Sequence, residues 1–418
     1  MNNKNLVKIR KEKNYYLSYF VDLRRIIITN NIGAKVIDLI FNKNYSISKA
    51  VRKLFPVNKK IYKDVFKNKI KQFLIGIKKE LKTKYEGGFP FVEDEQMDVP
   101  IAAEIQVNTF CNLRCKHCCQ SSYNKIMPFK KIKKILEILY REKVFEINLV
   151  GGELFLHPDI LEIISLCCEK HNFATNIVTN ATLLSEDIIK KISKFRNKLA
   201  FLVSLEGVGD HNDEIRGKGT FKKIDRAIRA LKKYKIYLEI STTINAVNIK
   251  YWREVVDYCK KLNIPCNFNL FKIFKPEQKK FVLDSRNYFK FIKKLFEVRK
   301  KEKADIGLTN AAIVSEINGA EPRNECKATL SGLTINVEGE MIPCPFLDEV
   351  GYYKNKKLPI FDENFKETWK NNYWFKDFRR GNFKECQACS YIFSGDRNRK
   401  NPYGLNAFKK YLNKKLQH

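Results

Sequence analysis

Between residues 101 and 305 the chain alternates, six times over, a short run rich in branched apolar residues with a stretch long enough for a helix. The runs are AEIQVNTF (103–110), FEINLV (145–150), TNIVTN (175–180), AFLVSL (200–205), LEISTTIN (238–245) and CNFNLF (266–271). Successive strand-then-helix units build a parallel sheet through right-handed crossovers. The expected fold class is therefore α/β, as a partial (β/α)6 barrel or an open doubly wound sheet. Both architectures put chemistry at the carboxyl ends of the strands.

The flanks read differently. Residues 1–95 predict a small α+β module. NYYLSYF (14–20) and RRIIITN (24–30) are strand-like, and three amphipathic helices follow. Their apolar faces are Ala34, Ile37, Ile40 and Phe41, then Ile47, Ala50, Val51 and Leu54, then Phe66, Ile70, Phe73, Leu74 and Ile77. EGGFPFVEDEQMDVP (86–100) reads as a linker. Residues 306–418 form a cysteine-rich region in which GLTINVEGEMIPC (332–344) predicts a hairpin turning at Glu338-Gly339. The tail from Asp396 is polar and basic, with a short terminal helix expected.

Lys+Arg number 80 and Asp+Glu 46, a net charge of +34. The lysines are spread over the whole chain, often as pairs, so a solvated basic surface is the first reading and an acidic partner the second. Nucleic acid is not expected. No apolar run approaches the roughly 20 residues of a membrane span. The start, MNNKNLVKIRKEKNYY, lacks the apolar core of a secretory signal, so a cytoplasmic address is expected. Twelve cysteines in a reducing compartment then point to metal or catalysis rather than disulfides.

Spacing separates the cysteines that matter. CNLRCKHC places Cys111, Cys115 and Cys118 directly after the first strand. Three thiolates on one loop can hold three irons of a [4Fe–4S] cube and leave the fourth iron open to a small molecule. Zinc is the rival, and it would need His117 or Cys119 as a fourth ligand. The second strand runs into Gly151, Gly152 and Glu153, where glycines allow close backbone approach and the carboxylate can meet an ammonium group. The fourth runs into SLEG with Ser204 at its end, and Arg216 follows in IRGKG, a residue suited to gripping a carboxylate.

As a set, CNLRCKHC, GGE, TNA (179–181) and SLEG…IRG resemble the radical S-adenosylmethionine (SAM) enzymes over residues 101–305. The resemblance implies Cys111, Cys115 and Cys118 as cluster ligands, with SAM chelated at the open iron. It implies Gly151, Gly152 and Glu153 near the methionine amino group, and Ser204 and Arg216 near its carboxylate and the ribose. An electron from a donor such as flavodoxin or ferredoxin would then split SAM into a 5′-deoxyadenosyl radical that takes a hydrogen atom from substrate. GGEL and SLEG depart slightly from the commoner GGEP and SLDG without removing a functional group.

Cys326, Cys344, Cys386 and Cys389, with Gly339 before Cys344, resemble the auxiliary-cluster domains called SPASM and twitch. No cysteine follows Cys389, so the shorter twitch version is expected, holding one auxiliary iron–sulfur cluster, read as [4Fe–4S]. A zinc ribbon is the alternative. A fully ligated cluster suits outer-sphere electron transfer from a substrate radical. Of the other five cysteines, Cys167 and Cys168 read as small buried hydrophobes, whereas Cys119 or Cys266 is a candidate hydrogen-atom donor. His157 reads as part of a turn.

The N-terminal module resembles the RiPP recognition element, a winged-helix-like fold that captures the leader of a ribosomally made peptide by strand addition. A structural cap or a DNA-binding winged helix are the alternatives. The combined expectation is a maturase of a precursor peptide forming an oxidative crosslink, a Cys-derived thioether in the manner of sactipeptide enzymes. Carbon–carbon crosslinking, epimerisation and oxidation of a small alcohol are the competing reactions.

Overall fold

The computed structural model describes residues 7–56, 60–82, 97–120, 124–319, 328–381, 386–394 and 400–415. Its centre is a nine-stranded sheet. Six strands occupy the expected runs: β4 (Ala102–Asn108), β5 (Glu146–Gly151), β6 (Ala174–Thr179), β7 (Leu199–Ser204), β8 (Tyr237–Ile244) and β9 (Cys266–Leu270), following three N-terminal strands described below. All six neighbour one another in chain order and run parallel.

Sequence alternation explains which way these strands face. Along β4, Ala103, Ile105 and Val107 are buried against the surrounding helices, while Glu104 and Gln106 are half-buried on the opposite face. The same pattern puts Asn148, Asn176, Ser204, Ser241, Thr243 and Asn269 on the concave side. Ile147, Leu149, Ile177, Phe201, Val203 and Phe268 lie on the convex side under helices such as Phe129–Arg141 and Thr220–Lys233. Each such side chain contributes about 1.5–3 kcal/mol on burial. The result is an α/β half-barrel with an apolar outer layer and a polar trough inside.

Three strands extend the sheet beyond the six. β10 (Ile306–Leu308) adds parallel to β9 at one edge. At the other, β11 (Gly332–Ile335) pairs parallel with β4 and antiparallel with β12 (Met341–Ile342). The expected hairpin is therefore present, with Gly339 at φ 82° in its turn, but its first strand also extends the barrel sheet. A hairpin is legible locally; pairing with a strand more than 200 residues earlier is not. The short terminal helix is also present, as Leu405–Lys415. The linker expected at 86–100 falls largely, and the expected ligand Cys326 wholly, outside the described residues.

The N-terminal module carries three antiparallel strands rather than two: β1 (Val7–Lys11), β2 (Tyr16–Phe20) and β3 (Arg25–Thr29), in that order. The helices Asn31–Ile37, Ile47–Leu54 and Lys60–Lys82 cover one face. Asn30 and Ser46 cap the first two through the backbone N–H of Gly33 and Lys49. β1 was missed because its inward face is cationic. Lys8 donates to the His171 carbonyl, and Arg10 donates to the carbonyls of Pro100, Val99 and Lys143. These carbonyls lie beneath the amino ends of the barrel strands. Tyr19 reaches Glu146 there, and Arg24 reaches Asn176 and the carbonyls of Thr175 and Lys198. The module thus plugs the base of the trough. No helix among the described residues is long and apolar enough to cross a membrane.

Candidate active site at the carboxyl ends of the strands

Asn108, the last residue of β4, organises the mouth. It is fully buried; its Nδ2 donates to the Glu153 carbonyl at 3.0 Å, and its main-chain oxygen accepts from Gly152 N at 3.2 Å. A Cβ on Gly151 would stand 2.6 Å from the Asn108 oxygen, and one on Gly152 2.1 Å from the Phe110 oxygen. The two glycines expected to admit a ligand admit the neighbouring backbone instead. This clamp sets the start of the cysteine loop.

The loop carrying Cys111, Cys115 and Cys118 is pinned on several sides. Lys116 N donates to Ile215 O at 3.0 Å, Cys118 N to Cys115 O at 3.0 Å, and Gln278 Nε2 to Cys118 O at 2.9 Å. The thiols are near enough to perturb one another, and burial raises Cys111 and pushes Cys115 up to about 11. The sulfurs also gather donors: Leu113 N at 3.4 Å and Asn180 Nδ2 at 3.8 Å from Cys111 Sγ, and Arg216 Nη1 at 3.9 Å from Cys115 Sγ. N–H groups aimed at sulfur are a recognised means of tuning thiolate-held clusters. Among the described residues, no three His, Cys, Asp or Glu converge on a single-ion site.

Glu153 sits at the centre of the mouth and is fully buried. Its Oε1 accepts from Thr179 Oγ1 at 2.7 Å and Phe155 N at 3.2 Å, and its Oε2 from Asn180 N at 2.8 Å. Burial raises its pKa, against the pull of those three donors. Ser204 ends β7 opposite Ser241, half-buried on the trough side.

Arg216 is not free to grip a carboxylate. Its Nη2 donates to Glu206 Oε1 at 2.7 Å, and His117 Nε2 stands 3.4 Å from the same oxygen. Glu206 Oε2 accepts from Thr243 N at 2.9 Å, so one buried carboxylate joins β7, β8 and the cysteine loop. Burial opposes the charge on Arg216, but Glu206 and Cys115 more than restore it. Burial lowers His117. Glu206 had not been singled out, although it is the third residue of SLEG. The sequence signal is an acidic residue two positions beyond the end of a buried strand. His117 Nδ1 and Arg216 Nε are buried without a hydrogen-bond partner among the described residues: an imidazole nitrogen that accepts when Nε2–H faces Glu206, and a guanidinium N–H that donates, both of which a bound molecule would satisfy.

The second cysteine group is also gathered. Cys344 is buried and raised to about 12 by that burial, with Cys386 beside it; the N–H groups of Leu347 and Phe346 point at its sulfur. Cys386 is held well below the ordinary thiol range, first by a hydrogen bond with Cys389 and then by Lys272 and the N–H groups of Cys389 and Ala388. The remaining cysteines separate cleanly. Cys167 and Cys168 are fully buried in the convex core. Cys266 begins β9 at the base of the barrel and hydrogen-bonds with Cys259, which places it away from the mouth and removes it as a hydrogen-atom donor there. Cys119 adjoins Cys118, and burial raises it to about 12. His157 is buried, with Nε2 3.0 Å from the Met127 carbonyl.

Residues 105–262 match the radical SAM superfamily. Over those residues the chain is similar to a radical SAM domain. Residues 326–390 match SPASM, an iron–sulfur cluster-binding domain, rather than a domain described as twitch. The cofactors are accordingly a [4Fe–4S] cluster, SAM and an auxiliary iron–sulfur cluster. The chain is 26% identical over 172 residues to the antilisterial bacteriocin subtilosin biosynthesis protein AlbA of Bacillus subtilis, covering 40% of this chain and 38% of that one. It is 30% identical over 140 residues to the mycofactocin maturase MftC of Mycobacterium tuberculosis, covering 32% and 34%. These matches span little more than a third of either relative. A cysteine-type anaerobic sulfatase-maturating enzyme of Clostridium novyi is 26% identical over 332 residues, 70% of this chain and 86% of that one. In fold the chain is similar to Streptococcus suis SuiB bound to its precursor peptide SuiA, with a TM-score of 0.67 and 16% identity over 94% of this chain and 97% of that one.

Proposed function

We propose that this chain is a radical SAM maturase of a ribosomally synthesised precursor peptide, and that it forms an oxidative crosslink, a Cys-derived thioether. The observation that carries the reading is the polar trough. Glu104, Asn148, Asn176, Ser204, Ser241, Thr243 and Asn269 line one concave face that leads from the plugged base to the cysteine loop. Such a surface offers donors and acceptors along its length, which suits a peptide main chain better than a compact apolar substrate. The names of AlbA and MftC, and the peptide bound to SuiB, point the same way.

Within this reading Cys111, Cys115 and Cys118 hold the SAM cluster. Gly151, Gly152, Glu153, Ser204 and Arg216 shape the SAM pocket. When bound and reduced by a donor such as flavodoxin or ferredoxin, cluster and SAM together supply a 5′-deoxyadenosyl radical. The chain's own residues do the rest. Glu153 stands ready with a carboxylate held in place by Thr179 and Asn180, oriented before any ligand arrives. Arg216 acts through Glu206 to fix the cysteine loop and keeps its Nε–H for a bound ligand. Cys326, Cys344, Cys386 and Cys389 would hold the auxiliary cluster, which would supply an acceptor for the electron left on the substrate. Residues 1–95 capture the leader. In support of that role, among the described residues β3 has a strand neighbour on one side only; Ile28 on it and Ile32 in the helix that follows are exposed.

The test is coexpression with a candidate precursor followed by mass spectrometry. Loss of two hydrogens with a new fragmentation block at a cysteine is the expected result. Unchanged mass with one deuterium gained from heavy water would replace crosslinking by epimerisation. No mass change together with steady oxidation of a small alcohol would refute the peptide reading.

A further inference from the structure

The two cysteine groups are joined by one short segment. After β9 the chain runs through Phe271, Lys272, Ile273, Phe274 and Lys275 into the turn Pro276–Phe281. At one end of this segment Gln278, itself buried, donates to the Cys118 carbonyl at 2.9 Å, and Lys275 Nζ donates to the Gln120 carbonyl at 3.0 Å. Gln278 Oε1 also accepts from Phe274 N and Lys275 N at 3.1 and 3.2 Å, which locks the bend. At the other end the Phe274 ring lies 5.9 Å from Phe346, and Lys272 Nζ lies 4.5 Å from the centre of the same ring. Phe346 is two residues past Cys344 and turns its N–H toward that sulfur.

We propose that Lys272 is a positioning charge for the auxiliary site, holding a fixed cation over the Phe346 ring, two residues past Cys344, so that a cluster there would accept an electron more readily. The proposal rests on the reading of Cys344, Cys386 and Cys389 as cluster ligands. Its physical basis is simple. A thiolate-ligated cluster is anionic, and each electron accepted adds one negative charge. A nearby ammonium stabilises the reduced form more than the oxidised form and raises the potential. Lys272 is half-buried, so solvent and salt screen it less than a surface lysine. It is a cation whose field reaches both Cys344 and Cys386. In closing the thioether the substrate radical gives up one electron, which would pass to the cluster, while the crosslinking thiol releases its proton to solvent; the lysine itself neither gains nor loses a proton.

The experiment is an EPR-monitored redox titration of anaerobically reconstituted holoenzyme, comparing wild type, Lys272→Gln and Lys272→Arg, with iron counted in each. In Lys272→Gln the auxiliary midpoint should fall while the SAM-cluster midpoint stays put, and Lys272→Arg should titrate as wild type. Loss of auxiliary iron from Lys272→Gln but not from Lys272→Arg would support the same electrostatic role. Unchanged potentials in Lys272→Gln, or equal shifts in both variants or in both clusters, would overturn it. A wild-type count near four irons rather than about eight would instead refute the ligand reading underneath.

Discussion

Arg216 and Glu206 form a buried pair in which one guanidinium does two things: Nη2 donates to Glu206 at 2.7 Å, and Nη1 points at Cys115 Sγ from 3.9 Å. The pair ties the end of β7 to the cysteine loop. Removing one partner leaves the other charge buried and uncompensated, at a cost of about 3–5 kcal/mol. Arg216→Ala should therefore lower the urea midpoint of the apo-protein markedly. Adding Glu206→Gln to it should recover much of that loss. Equal stability of the single and double variants would show that the pair carries no coupling.

Single Cys111→Ala, Cys115→Ala and Cys118→Ala variants should yield no 5′-deoxyadenosine with dithionite and SAM. Their reconstituted iron should fall from about eight to about four, because the auxiliary site is built separately. The complementary Cys386→Ala/Cys389→Ala variant should still cleave SAM but form no crosslinked product. Product from the latter would deny the auxiliary cluster its role as electron acceptor.

Gly152 tolerates no side chain. A Cβ there would meet backbone oxygens of Phe110 and Thr109 at 2.1 and 2.6 Å, and backbone cannot step aside cheaply. Gly152→Ala should cost about 1–3 kcal/mol or more and displace the cysteine loop. Iron uptake at the SAM site should drop with it. Gly76 is the control: it lies in the helix Lys60–Lys82 with open space around it, so Gly76→Ala should stabilise by roughly 0.5–1 kcal/mol. Chemical melts of both variants decide the contrast.

Lys8 makes docking of the N-terminal module pH-dependent. Burial, then the nearby Lys198, lower its pKa from 10.5 to about 7. Between those two values the unfolded chain binds a proton that the folded chain lacks, so stability rises with pH across that window. Below about 7 both states are protonated and the cost of the buried charge is constant. Thermal melts from pH 7 to pH 9 should therefore show a rising contribution that Lys8→Met removes. A slope that survives the substitution would assign it to another group.

Much of the site was legible because its residues are tied to strand ends. Cys111, Gly151, Asn180 and Ser204 all fall within a few residues of the carboxyl end of a parallel strand, where the topology must bring them together. What was not legible is who partners whom. Arg216 looked able to bind a ligand carboxylate, and its partner proved to be Glu206 ten residues earlier. Glycine 151 and glycine 152 signalled close approach, but not that Asn108 and Phe110 would be the groups approached. β1 was hidden because Lys8 and Arg10 read as solvent-facing, and only the carbonyls at the barrel base give them a reason to be inside.

By itself, the order of residues determined the alternation of strands and helices, the polar-inward pattern along each strand and the spacing of the first three cysteines. These are local properties, written in periods of two and 3.6 residues and in loop length. Tertiary structure alone decided that β11 would extend the barrel sheet beside β4, that the N-terminal module would plug the trough, and that Lys272 would stand over the Phe346 ring, two residues past Cys344. A charged side chain has the same identity whether water or a buried partner faces it, and only the folded chain supplies that partner.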